Sequence, residues 1–367
     1  MQMKKTSTAS AFAFGAKASP SPAAAEPEID SVEDGDPSTL PPTASQSGEN
    51  KPNIFGASWP SFQESPWRQM DWSEETNAAL MESIRSYKPA CDSVPAARVL
   101  LIGPVGAGKS SFISSVQSMF YGRVVNRAMM GSSSSSSTMG SSTSFTKKLQ
   151  SYQLYSSRER VDESMSLVLS DMVGLGETNG LTLHDTLAVI KGHVPEGHMF
   201  NACCPVVSDT PGYVKEPSLA EKVHCVVFVV SGLEISSYSD TMKSTFHQLR
   251  ELISALGVHQ VALLTHVDKV CPKTASDISQ VYKISSLKQV MVQAGALLNM
   301  PLSSIVPVKN YCDELELEPH TDTLLLRALD HILQYVDLHL RDQPATGQKA
   351  DRAGHTRDTR ESRQPPL

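Results

Sequence analysis

The feature of this sequence that most constrains its fold is a glycine-rich turn between an apolar run and an amphipathic segment. Residues 99–102 form the apolar run, and large apolar residues recur at helical spacing from Phe112 to Phe120. The turn, residues 103–110, reads Gly-Pro-Val-Gly-Ala-Gly-Lys-Ser and matches the pattern G-x-x-x-x-G-K-S/T. A strand, this turn and a helix in that order predict a phosphate-binding loop.

The chemistry of phosphate binding explains the residue types of this loop. Glycines let backbone N–H groups converge on phosphate oxygens, and the following helix presents its positive end to them. We expect Lys109 to reach the β- and γ-phosphates of a nucleotide and the Ser110 hydroxyl to bind Mg²⁺. The predicted phosphate-binding residues are Gly103, Val105, Gly106, Ala107, Gly108, Lys109, Ser110 and Ser111.

Apolar runs alternate with amphipathic patterns through the middle of the chain. Further apolar runs lie at residues 167–169, 223–230, 261–264 and 305–308, and helical patterns lie at residues 181–192, 241–256, 280–299 and 322–340. This alternation predicts a parallel sheet covered on both faces. The predicted fold is a three-layer α/β/α P-loop NTPase domain, GTPase-like, over residues 96–341.

The ends of the chain differ from this middle in composition. Residues 53–95 contain a helical pattern after Ser73 and are predicted to form a lead-in segment and helix. Residues 1–52 are rich in Ala, Ser and Pro, and residues 342–367 are polar without apolar periodicity. Both have too few large apolar residues to offset the entropy of ordering, so we predict two disordered tails.

Charge and cysteine content exclude several classes of protein. The net charge of −7 offers no general attraction to nucleic acid or to an anionic membrane. No stretch approaches the run of about 18 apolar residues that a membrane-spanning helix needs. Six cysteines without a CxxC pair predict neither a disulfide framework nor a zinc site, and they fit a reducing compartment. The adjacent Cys203 and Cys204 are expected to pack in the core.

Two D-x-x-G segments compete to supply the carboxylate that a phosphate-binding loop needs for Mg²⁺. Asp171 to Gly174 follows one apolar run and precedes a helical pattern. Asp209 to Gly212 has the more familiar letters, but only ten residues separate it from the next apolar run at residue 223. Chain order favours Asp171 and Gly174 as the switch, with Asp171 and Ser110 as Mg²⁺ ligands. Asp209 and Gly212 remain the alternative.

A low-complexity stretch of Ser, Gly and Thr, residues 131–144, follows the first helix of the predicted domain. It cannot pack a core of its own. Thr146, just beyond it, and Thr143 within it are candidates to close on Mg²⁺ and the γ-phosphate. Spacing does not select between them, and a flexible surface loop explains the composition equally well.

The residues after the run 261–264 bear on base choice. Thr265, His266 and Asp268 resemble the N/T-K-x-D element that selects guanine. A carboxylate at position 268 can accept hydrogen bonds from guanine N1–H and N2–H₂, which adenine lacks. His266 replaces the lysine, so we expect stacking on the base but no contact back to the phosphate loop. Lys309, after the last run, is a second candidate for base contact.

The sequence argues against fast hydrolysis. Hydrolysis of GTP usually needs a polar residue that orients the attacking water just after D-x-x-G. That place holds Leu175, or Tyr213 at the alternative segment. We therefore expect slow or partner-assisted hydrolysis at most, and no catalytic residue can be named.

Several longer stretches resemble a known family. They are ARVLLIGPVGAGKSSF at residues 97–112, SFTKK at 144–148, GHVPEG at 192–197, KVHCVVFV at 222–229 and VPVKNY at 306–311. Together they are similar to the interferon-induced protein 44 and 44-like family over about residues 53–340. The resemblance implies a cytoplasmic, interferon-induced protein of immune response and antiviral defence with a guanine-nucleotide-binding domain. It also supports Asp171, since the family places its D-x-x-G before the Gly-His-Val-Pro segment.

Two departures from the family limit this resemblance. Some relatives carry a globular N-terminal domain that the first 50 residues cannot form, and His266 breaks the usual T-K-x-D. The expected ligand is GTP or GDP with Mg²⁺, with weak GTPase activity at most. The alternatives are a non-hydrolysing nucleotide-binding scaffold that acts through protein contacts, and an ATP-binding enzyme. The sequence leaves protein partners and self-association open and identifies neither.

Overall fold

A six-stranded sheet forms the centre of the computed structural model, which describes residues 65–125, 146–156, 164–176, 181–201 and 203–343. All of these belong to one of two units of the chain, residues 57–367. The strands are β1 (Ala97–Ile102), β2 (Gln150–Tyr155), β3 (Ser164–Asp171), β4 (Cys225–Ser231), β5 (His259–Thr265) and β6 (Ile305–Pro307). Their order across the sheet is β2-β3-β1-β4-β5-β6.

Helices cover both faces of this sheet. They are α1 (Glu74–Arg85), α2 (Lys109–Tyr121), α3 (Leu183–Ile190), α4 (Asp240–Ala255), α5 (Val267–Val270), α6 (Pro272–Ser276), α7 (Ser285–Leu298) and α8 (Pro319–Arg341). One core lies between the sheet and α3, α4 and α7, and the other lies between the sheet and α1, α2 and α8. Successive residues of β1 face opposite cores, Leu100 the first and Leu101 the second. The predicted three-layer α/β/α fold is confirmed.

The strands β3, β1, β4, β5 and β6 pair in parallel, as predicted, but β2 does not. It runs antiparallel to β3 at the edge of the sheet, with Gln150 opposite Asp171. The pattern of apolar residues did not predict β2, because an edge strand needs few buried side chains and only Leu154 of β2 is buried. The sheet is therefore mixed rather than purely parallel.

The predicted helix over residues 280–299 is shorter than expected. A 3₁₀ turn occupies Ile278–Tyr282, and α7 begins at Ser285. The predicted lead-in helix forms as α1, whose N-cap is Ser73. It packs against α8, where the Asn77 amide donates to the Thr323 hydroxyl at 2.6 Å.

Other predictions concern regions that the structure covers only in part. The tail 1–52, the stretch 131–144 with Thr143, and the tail 342–367 beyond Gln343 lie outside the described residues. None of the described helices combines the length and the apolar character that a membrane crossing requires. All six cysteines are described and are free. Cys203 and Cys204 are exposed, so the prediction that they pack in the core is wrong, because they lie in the surface connection between α3 and β4.

Candidate functional site

The loop between β1 and α2 turns on glycines that no other residue replaces easily. Gly106 and Gly108 have φ of +80° and +92°, in the left-handed region that side chains disfavour. At Gly103, a Cβ atom would lie 2.1 Å from the carbonyl oxygen of Val229 in β4. The loop therefore sits directly on the neighbouring strand, with its N–H groups leading into α2.

The segment after β3 packs on this loop. The Leu175 N–H donates to the Gly103 carbonyl at 2.9 Å, and a Cβ atom at Gly174 would lie 2.7 Å from the Val105 nitrogen. Only glycine allows this approach. The first D-x-x-G and the phosphate-binding pattern, predicted separately, are thus in direct contact.

Three side-chain oxygens meet where β3 ends and α2 begins. The buried Asp171 carboxylate accepts a short hydrogen bond from the Ser110 hydroxyl and a second from the Thr146 hydroxyl at 3.2 Å. The two hydroxyl oxygens are 3.3 Å apart. Mg²⁺ prefers oxygen ligands of this kind, so the side chains present fit this metal. We call these three residues the oxygen cluster.

Lys109 lies beside the oxygen cluster and is 7% exposed. Its ammonium group donates to the carbonyls of Gly103 and Pro104 at 3.0 and 2.9 Å. Burial lowers the pKa of Lys109, and the charge of Asp171 opposes that shift. Burial also raises the pKa of Asp171, against the charge of Lys109 and the hydrogen bonds that its carboxylate accepts. The site therefore holds a desolvated cation and a desolvated anion, each favoured by the other.

Thr265 connects the end of β5 to the phosphate-binding loop. Its hydroxyl lies 2.7 Å from the Ala107 carbonyl oxygen and 3.1 Å from that of Val230. The Nδ1 atom of His266 lies 3.0 Å from the same hydroxyl, and His266 has φ of +57°. Burial lowers the pKa of His266, which favours the neutral imidazole.

Asn310, in the predicted second base-contact segment with Lys309, makes a second connection to the phosphate-binding loop that the sequence did not predict. Its amide donates to the Gly108 carbonyl at 3.2 Å, while the next residue, Tyr311, donates its N–H to the Ser115 hydroxyl of α2 at 2.9 Å. The loss of the lysine at position 266 therefore leaves the base segment tied to the loop by other residues. The sequence pattern does not predict this contact, because the partner of Asn310 is a backbone carbonyl far away in sequence.

The two charged candidates for base contact differ in their surroundings. Asp268 is half-buried and makes no hydrogen bond or ion pair with a described residue. Lys309 instead pairs with Glu314 at 3.0 Å. Partial burial opposes ionisation of Glu314, but hydrogen bonds from the Cys312 N–H and from Lys309 lower its pKa to about 2. The Asp268 carboxylate is available to a ligand, whereas the Lys309 ammonium is already engaged.

The alternative D-x-x-G lies elsewhere on the surface. Asp209 is exposed and accepts a hydrogen bond from the Ser208 hydroxyl at 3.3 Å. Gly212 packs under Pro195, and Tyr213 stacks on His193 with ring centroids 4.9 Å apart. Among the described contacts, these residues join their own surface connection and not the oxygen cluster.

The residues that follow each D-x-x-G differ in their surroundings. Leu175 is apolar, 3% exposed and held by its backbone to Gly103. Tyr213 belongs to the stacked pair with His193. Among the described residues, no group of three or more His, Cys, Asp or Glu side chains could hold a metal ion.

Comparisons with known proteins place the chain among relatives. No protein-family model matches it. Interferon-induced protein 44 of Mus musculus is 34% identical over 266 residues, 72% of this chain and 60% of that protein. Human interferon-induced protein 44-like is 34% identical over 277 residues, 74% of this chain and 58% of that protein. The chain thus spans about three fifths of the length of these relatives.

Two solved structures show more distant likeness. A probable GTP-binding protein engB is 14% identical, with 65% of this chain and 98% of that chain covered and a TM-score of 0.36. Toc33 from Arabidopsis thaliana in complex with GDP and Mg²⁺ is 13% identical, with 71% and 90% covered and a TM-score of 0.37. At these identities and TM-scores, the two structures carry no argument about this chain. Over the aligned residues, the chain is thus similar to the family of interferon-induced protein 44 and 44-like.

Proposed function

We propose that this protein binds guanine nucleotide with Mg²⁺ and takes part in the interferon-induced immune response, including antiviral defence. The observation that carries the nucleotide proposal is the oxygen cluster: Ser110, Thr146 and Asp171 meet beside a glycine loop that contains Lys109. The names of the relatives support the immune role. The family resemblance and the six free cysteines support a cytoplasmic location.

The charges of Lys109 and of the phosphates determine how the phosphate end of the site would bind nucleotide. Phosphate oxygens would replace the neutral carbonyl acceptors of Lys109 with charged ones, which form stronger hydrogen bonds with its buried ammonium. Ser110 and Asp171 would hold Mg²⁺, which neutralises phosphate charge when bound, and Thr146 would close on Mg²⁺ when a γ-phosphate is present. The loop N–H groups and the first turn of α2, including Ser111, would bind the remaining phosphate oxygens.

The base end of the site favours guanine over adenine. The Asp268 carboxylate has no partner among the described residues and can accept from guanine N1–H and N2–H₂. Adenine offers no donor in those positions and would leave a half-buried carboxylate unpaired. Thr265 and Asn310 hold the base segments against the loop. An ATP-binding enzyme is accordingly the weaker alternative.

Hydrolysis is the point at which two candidate functions separate. Leu175 supplies no polar group for the attacking water, so the protein would hydrolyse GTP slowly or with a residue from a partner. The same observation favours the second candidate, a non-hydrolysing scaffold that acts through protein contacts. GTP turnover measured over a wide range of protein concentration distinguishes them. A rate per molecule that rises steeply with concentration supports assisted hydrolysis, and a flat rate at the buffer level supports the scaffold.

Equilibrium binding of fluorescent GDP, GTP and ATP analogues to the full chain tests the proposal. We expect guanine nucleotides to bind and Lys109→Ala to weaken them roughly ten- to a hundredfold, because it removes a charged hydrogen-bond donor. Asp209→Ala is the matched control, an exposed acid of the other D-x-x-G, and should bind as the wild type does. Equal binding of ATP, or full binding by Lys109→Ala, would refute the proposal.

Base recognition has its own test in Asp268→Asn. An asparagine can donate to the 2-oxygen of xanthine and accept from its N1–H, whereas it cannot accept both guanine protons. We expect affinity for guanine nucleotides to fall and affinity for xanthine nucleotides to rise, so that the order of preference reverses. If both nucleotides weaken together, Asp268 does not read the base.

A further inference from the structure

A short backbone ladder joins the residues beside Thr146 to the connection between α3 and β4. The Leu149 N–H donates to the His198 carbonyl at 2.9 Å, and the Gly197 N–H donates to the Leu149 carbonyl at 2.9 Å. The Phe200 N–H donates to the Lys147 carbonyl at 3.3 Å. We call residues 195–200 the clamp segment. Its ladder ends next to Thr146, one member of the oxygen cluster.

The clamp segment has a defined turn of its own. The His198 N–H donates to the Pro195 carbonyl at 3.2 Å, and Gly197 has φ of +78° at the third position. Glycine at that position is typical of a type II turn. Between them, the Glu196 carboxylate accepts the Ser151 N–H of β2 at 2.7 Å. Side chain and backbone together attach the clamp segment to the strand that follows Thr146.

The second D-x-x-G segment, residues 209–212, packs against this turn. A Cβ atom at Gly212 would lie 3.1 Å from the Pro195 side chain. The Val214 N–H donates to the His193 carbonyl at 3.0 Å, and the His193 ring lies 2.8 Å from the Val214 carbonyl oxygen. The second D-x-x-G segment is therefore in contact with the clamp segment, even though its aspartate is exposed.

We propose that the clamp segment positions Thr146 in the oxygen cluster and so sets how strongly the site distinguishes GTP from GDP. This inference rests on the proposed nucleotide function. Glu196 and Gly212 act as positioning residues through the ladder, and neither touches the oxygen cluster. The ladder consists only of groups of the chain itself, so it can form with either nucleotide bound. A threonine that is already held in place loses less conformational freedom when it contacts Mg²⁺ and the γ-phosphate.

Variants of Glu196 test the side-chain part of the clamp. Glu196→Ala removes the acceptor of the Ser151 N–H, and we expect Mg²⁺-GTP binding to weaken roughly three- to tenfold with less than a twofold change for Mg²⁺-GDP. Glu196→Gln keeps an oxygen acceptor and should restore most of the difference. A merely structural role would weaken both nucleotides alike and would not respond to this rescue.

A pair of glycine variants tests the support under the turn. Gly212→Ala and Gly257→Ala both place alanine at a positive φ, +80° and +69°, so both should lose stability to a similar degree. Only Gly212→Ala pushes on the clamp segment, because nothing lies within 4 Å of a Cβ at Gly257. We expect the ratio of GTP to GDP affinity to fall in Gly212→Ala and to stay unchanged in Gly257→Ala.

Hydrogen exchange separates failure of this inference from failure of the proposed function. In Glu196→Ala, the amides of Leu149 and Gly197 should exchange faster together, with or without nucleotide. If Lys109→Ala abolishes binding but Glu196→Ala and Gly212→Ala leave the GTP to GDP ratio unchanged, the clamp is refuted alone. If no nucleotide binds, the proposed function fails, and unchanged exchange at Leu149 in Glu196→Ala would then refute the ladder as well.

Discussion

His224 is a fully buried titratable residue that binds backbone groups with both ring nitrogens. Its Nδ1 atom accepts the Arg98 N–H at 2.9 Å, and its Nε2 atom lies 2.9 Å from the Leu219 carbonyl oxygen. The first contact requires an unprotonated Nδ1, so the ring is neutral with its proton on Nε2. Burial lowers the pKa of His224 to about 4, although the bond to Leu219 opposes the shift.

This histidine predicts a loss of stability in mild acid. Between pH 6.5 and 4 the unfolded chain binds a proton at His224 that the folded protein does not. Its contribution is therefore complete above pH 6.5 and falls by up to about 1.4 kcal/mol per pH unit as the pH drops towards 4. In His224→Gln, urea unfolding should show a correspondingly shallower pH dependence. The exposed His247→Gln is the control and should keep the wild-type slope.

At the scale of single elements, α1 depends on its first turn. The Ser73 hydroxyl accepts the Thr76 N–H at 3.3 Å, which satisfies one of the free N–H groups at the start of the helix. Removal of such a cap costs about 1 kcal/mol. We expect Ser73→Ala to lower the free energy of unfolding by that amount in urea titrations. Ser83→Ala, at an exposed position within α1, should be neutral or slightly stabilising. Equal losses in both variants would mean that the cap contributes nothing.

How well an element could be predicted depends on how continuously it is buried. Strands β1, β4 and β5 are buried almost throughout, and each contains an uninterrupted run of at least four apolar residues. The edge strand β2 has polar letters and one buried residue, so no pattern distinguishes it from a loop. The clamp segment is harder still, because its partners are backbone groups in another part of the chain.

The residues of the candidate site also differ in how well they could be predicted from the sequence. Lys109 and Ser110 follow from one local motif, because the strand, turn and helix fix their positions over a few residues. The choice of Asp171 needs chain order, and the structure places its carboxylate against the Ser110 hydroxyl. The roles of Asn310 and Glu196 could not be predicted, since each depends on a contact between distant segments.

At the scale of the whole molecule, the parallel strands gather the site at one edge of the sheet. Gly103, Asp171, Thr265 and Asn310 all lie at or just beyond the carboxyl ends of parallel strands, which is where such sheets bind ligands. Thr146 reaches the same edge by another route, because β2 runs antiparallel and begins opposite Asp171. The antiparallel edge strand thus brings the last oxygen of the cluster to the others.

Because these segments come from separate parts of the fold, a ligand that joins them should stabilise the whole protein. A ligand present at a hundred times its Kd, and bound only by the folded state, raises the free energy of unfolding by about 2.7 kcal/mol. We expect GTP or GDP with Mg²⁺ to raise the melting temperature by several degrees, and a chelator such as EDTA to remove most of that increase.

Two controls make this measurement specific to the site. Lys109→Ala should melt at the same temperature with and without nucleotide, and EDTA alone should not change the melting temperature of the wild type. ATP with Mg²⁺ should give a much smaller shift than GTP, because Asp268 stays unpaired. An equal shift with ATP would mean that the stabilisation comes from the phosphate end alone, and a full shift in EDTA would mean that the oxygen cluster holds no metal.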